Sequence, residues 1–290
     1  MTAFQEIWAP WLIGPFLWLA GIAGMGFVAY VLLKWIGVEE RKREFSWILF
    51  LSIVLALVFV IADLSRPWNM PSAIMSAVFS GTFGWTKSWM AVGIVILLLG
   101  LILALLVAVR NSGVKAIAPL TDSKWFDILL ALVGIAITIY SGFLIAATPG
   151  VPFWNTALLP VLWIISASVC AVALVKLMIH NEVASKTATR FGVALDVAKL
   201  LAIFALISLS LYGGSIAARQ SAYALAYGEL AAPFWIGVVG VGVVIPLLLG
   251  LALLKKENKL LGIIAAILAL IGALLLRVLI LQAGIFEPLV

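Results

Sequence analysis

Stretches of about 20 apolar residues, the length an α-helix needs to cross the hydrocarbon core of a bilayer, recur near 11–33, 47–64, 88–109, 126–148, 157–179, 191–212, 234–254 and 260–282. Polar or basic residues bound each stretch, and none alternates apolar with polar at every second position as the strands of a membrane barrel do. The pattern predicts an all-α integral membrane protein with eight transmembrane helices. Composition agrees: of 290 residues 66% are hydrophobic and 10% charged, and the mean hydropathy of +1.27 lies outside the range of a soluble domain. Met1 to Glu6 form no basic leader, so the first span is expected to stay in place.

Lysine and arginine sort by connection. Thirteen of the 18 follow helices 1, 3, 5 and 7 (Lys34, Arg41, Lys42, Arg43; Arg110, Lys115, Lys124; Lys176, Lys186, Arg190; Lys255, Lys256, Lys259), whereas the connections after helices 2, 4 and 6 hold only Arg66, Lys87 and Arg219. Under the positive-inside rule the odd connections face inward, and both termini face outward from a plasma (inner) membrane. This layout accounts for the net charge of +6 without nucleic acid as a partner.

A faint echo runs through the chain. Pro15-Phe16-Leu17-Trp18 opens the first helix and Pro160-Val161-Leu162-Trp163 the fifth, 145 residues on; Trp89 begins the third and Trp235 the seventh, 146 residues on. Four helices per unit give both units the same topology, so the expected architecture is two parallel-repeat four-helix bundles, residues 1–148 and 149–290. The connection from Ser65 to Lys87 is long and carries Ile74, Met75, Val78 and Phe79 at helical spacing. It reads as a surface helix that either rests on lipid headgroups or docks a protein.

Charge inside hydrocarbon is costly and seldom kept without use, so Asp63, Asp196, Lys199 and Arg277 are the candidates for proton transfer. Asp196 and Lys199, three apart, share a helix face and are expected to pair. Arg277, near the outer end of helix 8, either snorkels to the interface or serves the interior. Asp63 and Arg66 straddle the outer end of helix 2. Tyr140 lies well inside the fourth span, where an unpaired hydroxyl costs about 1–3 kcal/mol and needs a partner from another helix or a ligand. At 1.5 Å per residue Tyr140 and Trp18 both lie roughly 10–12 Å below the outer boundary, with Asp63 shallower. If helices 1, 2 and 4 share a bundle, these residues surround one cavity suited to an apolar ring with two hydrogen-bonding oxygens, as in a quinone. A tightly packed phenol with a backbone partner explains Tyr140 equally well.

Other chemistry is excluded. The single cysteine, Cys170, lies in a span and offers neither a disulfide nor a cysteine-ligated cluster, and the single histidine, His180, cannot supply bis-histidine haem ligation. No haem, iron–sulfur cluster or other metal is expected in this chain.

Several segments resemble one family. Ala62-Asp63-Leu64-Ser65-Arg66-Pro67 resembles the Asp-Leu-Gly-Arg-Pro signature that ends the second helix of the NrfD/PsrC family, the membrane subunits of polysulfide-reductase-like complexes. Ser88-Trp89-Met90 resembles the start of its third helix. Tyr140-Ser141-Gly142-Phe143-Leu144, with Val151-Pro152-Phe153-Trp154-Asn155 and Leu159-Pro160, resembles its hairpin between helices 4 and 5. The resemblance implies a subunit without a cofactor of its own that binds quinone or quinol near the outer face. It also implies electron exchange between the quinone pool and a ferredoxin-like iron–sulfur subunit joined to a molybdopterin catalytic subunit. By position, Tyr140 is implied to reach the quinone, with Asp63 and Arg66 beside it and Trp18 in the wall. Helix 1 departs from the family in carrying Trp11, Pro15, Phe16 and Trp18 and no His or Asn. The competing readings are a secondary transporter of two parallel repeats and an inert membrane anchor. Against the transporter, matched midplane helix breakers are lacking, since Pro246 stands opposite Gly100 or Leu101.

Overall fold

The computed structural model describes residues 8–64, 67–69, 72, 75–76 and 89–287. Among them eight helices are long and apolar enough to cross a membrane: α1 (Pro10–Trp35), α2 (Lys42–Ala62), α3 (Trp89–Asn111), α4 (Lys124–Ala146), α5 (Leu158–Met178), α6 (Glu182–Tyr212), α7 (Pro233–Lys255) and α8 (Lys259–Gln282). No strand occurs among the described residues. The chain is an all-helical, multi-pass membrane protein.

The helix ends follow local chemistry. Pro10 and Pro233 stand at the first turns of α1 and α7, where a missing N–H costs nothing. Ser123 caps α4 by accepting from the Phe126 N–H at 3.1 Å, and Asn258 caps α8 through the N–H groups of Leu260 and Leu261. α1 and α3 both stop at a left-handed glycine, Gly37 at φ 76° and Gly113 at φ 102°. In each the next two N–H groups fold back on the last turn, Gly37 to Lys34 and Val38 to Leu33, Gly113 to Arg110 and Val114 to Val109. Two boundaries differ from the hydrophobic pattern, and the first is that α2 starts at Lys42, not near 47. α6 starts at Glu182, not near 191, because Asn181 accepts from the Ala184 N–H at 3.1 Å and starts a polar first section that carries Lys186 and Arg190 on helix instead of in a connection.

α1 packs on α2, α4, α5 and α8; α2 and α4 both pack on α3. α5 packs on α4, α6 and α8, and α6 and α8 both pack on α7. α1 and α5 are the most buried spans and form the centre. Glycines set the closest crossings. A Cβ on Gly134 of α4 would lie 2.3 Å from the Gly24 carbonyl oxygen of α1, and one on Gly272 of α8 2.1 Å from the Gly242 Cα of α7. The first half of α7, Pro233–Val244, is wound as a π-helix before continuing as α-helix from Ile245.

The ends that carry the basic connections form one face, and the opposite face is tied together by the C-terminal tail. Glu287 N–H donates to the Gly150 carbonyl at 3.0 Å, Ser215 Oγ donates to the Glu287 carboxylate at 2.6 Å, and Ile285 N–H donates to Ser221 Oγ at 3.1 Å. Ser215 also caps a further helix, Ile216–Ala226, in the connection from α6 to α7. The surface helix read between 65 and 87 falls largely outside the described residues; Trp68 and Met75 within it are exposed.

Candidate functional site

Two polar centres lie inside the helices. The first is built around Tyr140. Gly142 lets α4 meet α5, since a Cβ there would come within 2.5 Å of the Pro160 Cα, and Asn155 Nδ2 donates to the Ala146 carbonyl at 2.8 Å, which fixes the α4–α5 turn. Two residues before Gly142, the phenol of Tyr140 points to α3 and lies over Gly93. A Cβ on Gly93 would fall 1.9 Å from Tyr140 Cζ and 2.0 Å from its hydroxyl oxygen, so the slot exists only because residue 93 has no side chain. One turn away Trp89 and Phe143 stack with centroids 4.9 Å apart and planes 7° from parallel. Tyr140 is buried, and its hydroxyl makes no hydrogen bond among the described residues.

Asp63 sits on the same face of the protein, just past the end of α2. It accepts from the Ala9 N–H at 3.0 Å and so ties the end of α2 to the start of α1. Trp8, next to Ala9, stacks on Trp154 at 6.2 Å. Partial burial pushes the Asp63 carboxyl above its ordinary 3.8, and the Ala9 N–H pulls it back. Because the folded chain holds this proton more tightly than the unfolded one, the contribution to stability is present below pH 3.8 and is lost as pH rises through the folded value. Asp63→Asn keeps an acceptor for Ala9 and removes the charge. It is expected to hold or slightly raise stability at neutral pH and to flatten stability across the acid range, as thermal unfolding at stepped pH will read. Arg66, the other half of the signature, lies outside the described residues. No described contact joins Tyr140 to Asp63.

Trp18 belongs to the second centre. Its half-buried indole turns to α5, where Nε1 lies beside the Cys170 thiol without a hydrogen-bond partner. One turn along α1, Gly21 makes room for Arg277 of α8: a Cβ there would lie 3.0 Å from Nη2 and 3.1 Å from the Ala167 Cβ. Arg277 does not snorkel. It is fully buried, donates from Nη1 to Ser166 Oγ at 3.0 Å and to the Ala273 carbonyl at 2.9 Å, and sits 5.4 Å from the Trp163 ring centroid. These contacts, together with the close crossing at Gly21, hold the guanidinium in the interior.

Asp196 and Lys199 share a face of α6, as their spacing predicts, but the expected ion pair does not form. Lys199 is fully buried and lies within electrostatic reach of Cys170, Asp196 and Arg277, without a hydrogen bond to any of them, while Asp196 lines a cavity among α5 to α8. Asp196 Oδ1, Lys199 Nζ, Trp163 Nε1 and Arg277 Nε and Nη2 are all buried without a partner among the described residues. Ser166, Trp163, Cys170, Gly21 and Gly93 do not stand out as site residues in the sequence. The match of Trp163 to Trp18 in the internal echo is the one signal that bears on any of them.

The basic face carries a third group of charges, but here each is matched. Lys34 meets Asp127 at 2.6 Å and the Thr121 carbonyl at 3.1 Å, and Trp35 Nε1 donates to the same carboxylate at 3.0 Å. Arg110 grips Asp122 through two nitrogens, which holds that carboxyl below its usual range. His180 Nδ1 lies 3.1 Å from Glu40. The Lys34–Asp127 and Arg110–Asp122 pairs, with Glu40, rim a cavity of about 420 Å³, and the three pairs tie the connections of the basic face to one another. No group of three His, Cys, Asp or Glu side chains among the described residues converges to hold a metal.

The family model described as "Polysulphide reductase, NrfD" matches residues 2–288. The chain belongs to this family. The C subunit of polysulfide reductase from Wolinella succinogenes is 28% identical over 295 residues, covering 94% of this chain and 93% of the relative. Protein NrfD of Escherichia coli is 30% identical over 172 residues, covering 56% of this chain and 53% of that protein. The family match therefore spans nearly every element described above, including both polar centres.

Proposed function

We propose that this NrfD-family protein is the membrane subunit of a quinone-linked oxidoreductase complex of the polysulfide or sulfur reductase type. In this role it exchanges electrons between quinone or quinol and a ferredoxin-like iron–sulfur subunit that serves a molybdopterin catalytic subunit. The observation that carries the reading is the buried, uncommitted hydroxyl of Tyr140 in the Gly93 slot, in a chain whose whole length matches a reductase family. A quinone ring fits such a setting: it needs a hydrogen-bond donor for a carbonyl oxygen and flat apolar surface for the ring. Tyr140 supplies the first and the neighbouring Trp89–Phe143 stack the second. When bound, the quinone supplies two-electron, two-proton chemistry. Asp63, partly exposed and titratable, exchanges protons with water at the mouth of the site, and Arg66 follows it in the same signature. Trp18, expected in this wall from its depth, instead turns its indole to Cys170 of α5 and stands apart from the site.

In this reading residues 1–148 and 149–290 are two bundles. The order in which α1, α2, α3 and α4 pack is repeated by α5, α6, α7 and α8, which supports the division. The basic face is turned inward and both termini outward, across a plasma membrane. Lys42→Cys is expected to be shielded from a membrane-impermeant thiol reagent added to intact cells, and a cysteine on the exposed surface of the Ile216–Ala226 helix labelled; the reverse pattern would overturn the orientation. The iron–sulfur subunit docks on the outward face, where Tyr212, Ile216, Tyr223 and Tyr227 stand exposed beside the 149–156 turn. The test of the whole reading is copurification with an iron–sulfur protein that quinol reduces. A protein that isolates alone, or whose partner quinol leaves oxidised, excludes the role.

A further inference from the structure

We propose that Asp196 is a proton-accepting group in a cavity that adjoins an inlet from the basic face between α5, α6, α7 and α8. Two cavities lie end to end there. The outer one, about 160 Å³, opens among His180, Glu182, Ser185, Glu257 and Lys259. The inner one, about 50 Å³ and itself open along one flank, is walled by Gly192, Pro246, Gly250, Ala266 and Ala269 and reaches Asp196. Lys176, Leu253 and Gly262 line both cavities and form the neck between them. A water needs roughly 10–15 Å³ of such space and two to four polar partners. The inner cavity has the space, and the Asp196 carboxylate, the Lys176 ammonium and the Thr189 hydroxyl are the partners.

The walls keep this space open by what they lack. A Cβ on Gly250 would lie 2.8 Å from Val193 Cγ2, and one on Gly262 3.2 Å from Lys176 Cε. Lys176 in the neck is held by Thr189 Oγ1 at 2.7 Å and Ser185 Oγ at 3.0 Å, so it lines the passage without crossing to Asp196. Asp196 is 5% exposed and its Oδ1 has no partner among the described residues. A buried carboxylate left in that condition is strongly disfavoured, and taking a proton from inlet water removes the charge.

The charged and titratable groups around Asp196 bar the path beyond it. Lys199 on α6 and Arg277 on α8 are fully buried cations, and Cys170 of α5 lies within electrostatic reach of both. α5 also supplies Lys176, and α7 contributes only Pro246, Gly250 and Leu253 to the cavity wall. A proton that reaches Asp196 therefore meets two positive charges ahead of it and returns by the way it came. The proton leaves an inlet water and binds a carboxylate oxygen, and no electron donor or acceptor takes part.

The test uses the full-length protein in sealed vesicles, with sidedness assigned by trypsin access to the Arg41–Arg43 connection and infrared difference spectra recorded across pH steps. A protonated-carboxyl band is expected to appear when the compartment bathing the basic face is acidified, to ignore the same step on the other side, and to vanish in Asp196→Asn. Should that variant fail to assemble, Asp196→Glu carries the assignment by shifting the band. Gly262→Val, which places a branched side chain against Lys176 in the neck, is expected to keep the band and slow its deuterium exchange. The proposal falls if no band belongs to residue 196 at any pH, which makes Asp196 a permanently ionised carboxylate, or if the band answers equally to both compartments. No quinone enters the readout, so this result and the Tyr140 reading stand or fall separately.

Discussion

Gly242→Val is expected to break the α7–α8 pair and sharply reduce the yield of folded protein. At this crossing a Cβ on Gly242 would lie 2.4 Å from the Gly272 Cα, and in the other direction the distance is 2.1 Å. What it meets is backbone, which cannot rotate aside as a side chain can. Overpacking of a core that can partly adjust costs about 1–3 kcal/mol, and here the two helices must separate, so a loss of at least about 3 kcal/mol is expected against a typical total of about 5–15 kcal/mol. Thermal unfolding of the detergent-solubilised protein should rank glycine above alanine and alanine above valine at position 242. Gly237→Ala is the control, because its Cβ would meet only the far end of the Leu275 side chain at 3.1 Å. A valine at 242 as well tolerated as an alanine at 237 would mean that the helices do not cross there.

Tyr140→Phe is expected to lower quinone turnover by roughly 5- to 30-fold, the equivalent of losing one hydrogen bond of about 1–2 kcal/mol, while leaving assembly and thermal stability near wild type. Stability should hold because the hydroxyl bonds nothing among the described residues, so its removal orphans no partner there. Gly93→Ala provides a second approach from α3. Its methyl group occupies the position now taken by the end of the phenol, so the ring must move and turnover should fall although the hydroxyl is retained. Steady-state rates with a soluble quinol, measured on complexes shown to retain their iron–sulfur partner, distinguish these effects from loss of assembly. If Tyr140→Phe turns over quinol at the wild-type rate, the pocket lies elsewhere, and the buried centre around Arg277 is the next place to look.

The two polar centres are unequally legible in the sequence. Tyr140 stands out because a phenol inside a span is rare and costly wherever the neighbouring helices lie. The slot that holds it is not legible, since Gly93 is one of 24 glycines and nothing in its own segment says that α4 passes over it. Arg277 is readable as an exception but not in its role. Near a helix end an arginine can reach the interface, and only the crossing of α1 at Gly21 and the hydroxyl of Ser166, 111 residues earlier, keep it inside. For Asp196 and Lys199, spacing of three residues places both on one face as expected, but a shared face fixes the direction of two Cβ atoms and not where two flexible side chains end. Packing of α5 and α8 decides that.

The sequence by itself determined the eight spans, their bounds to within a few residues except at the starts of α2 and α6, and the segregation of basic residues to one face. These follow from transfer free energy, which each segment carries in its own composition whatever its neighbours do. Only the tertiary structure decided that Trp18 faces Cys170 in the second centre, that the tail closes the 149–156 turn through Glu287, and that Asp196 lines a cavity while Lys199 is sealed beyond it. Inside a bilayer nearly every helix face is apolar, so hydrophobicity cannot say which face meets which helix. That choice rests on close contact, on where a missing Cβ lets two backbones approach and where a side chain finds or lacks a partner, and those are properties of pairs of segments far apart in the chain.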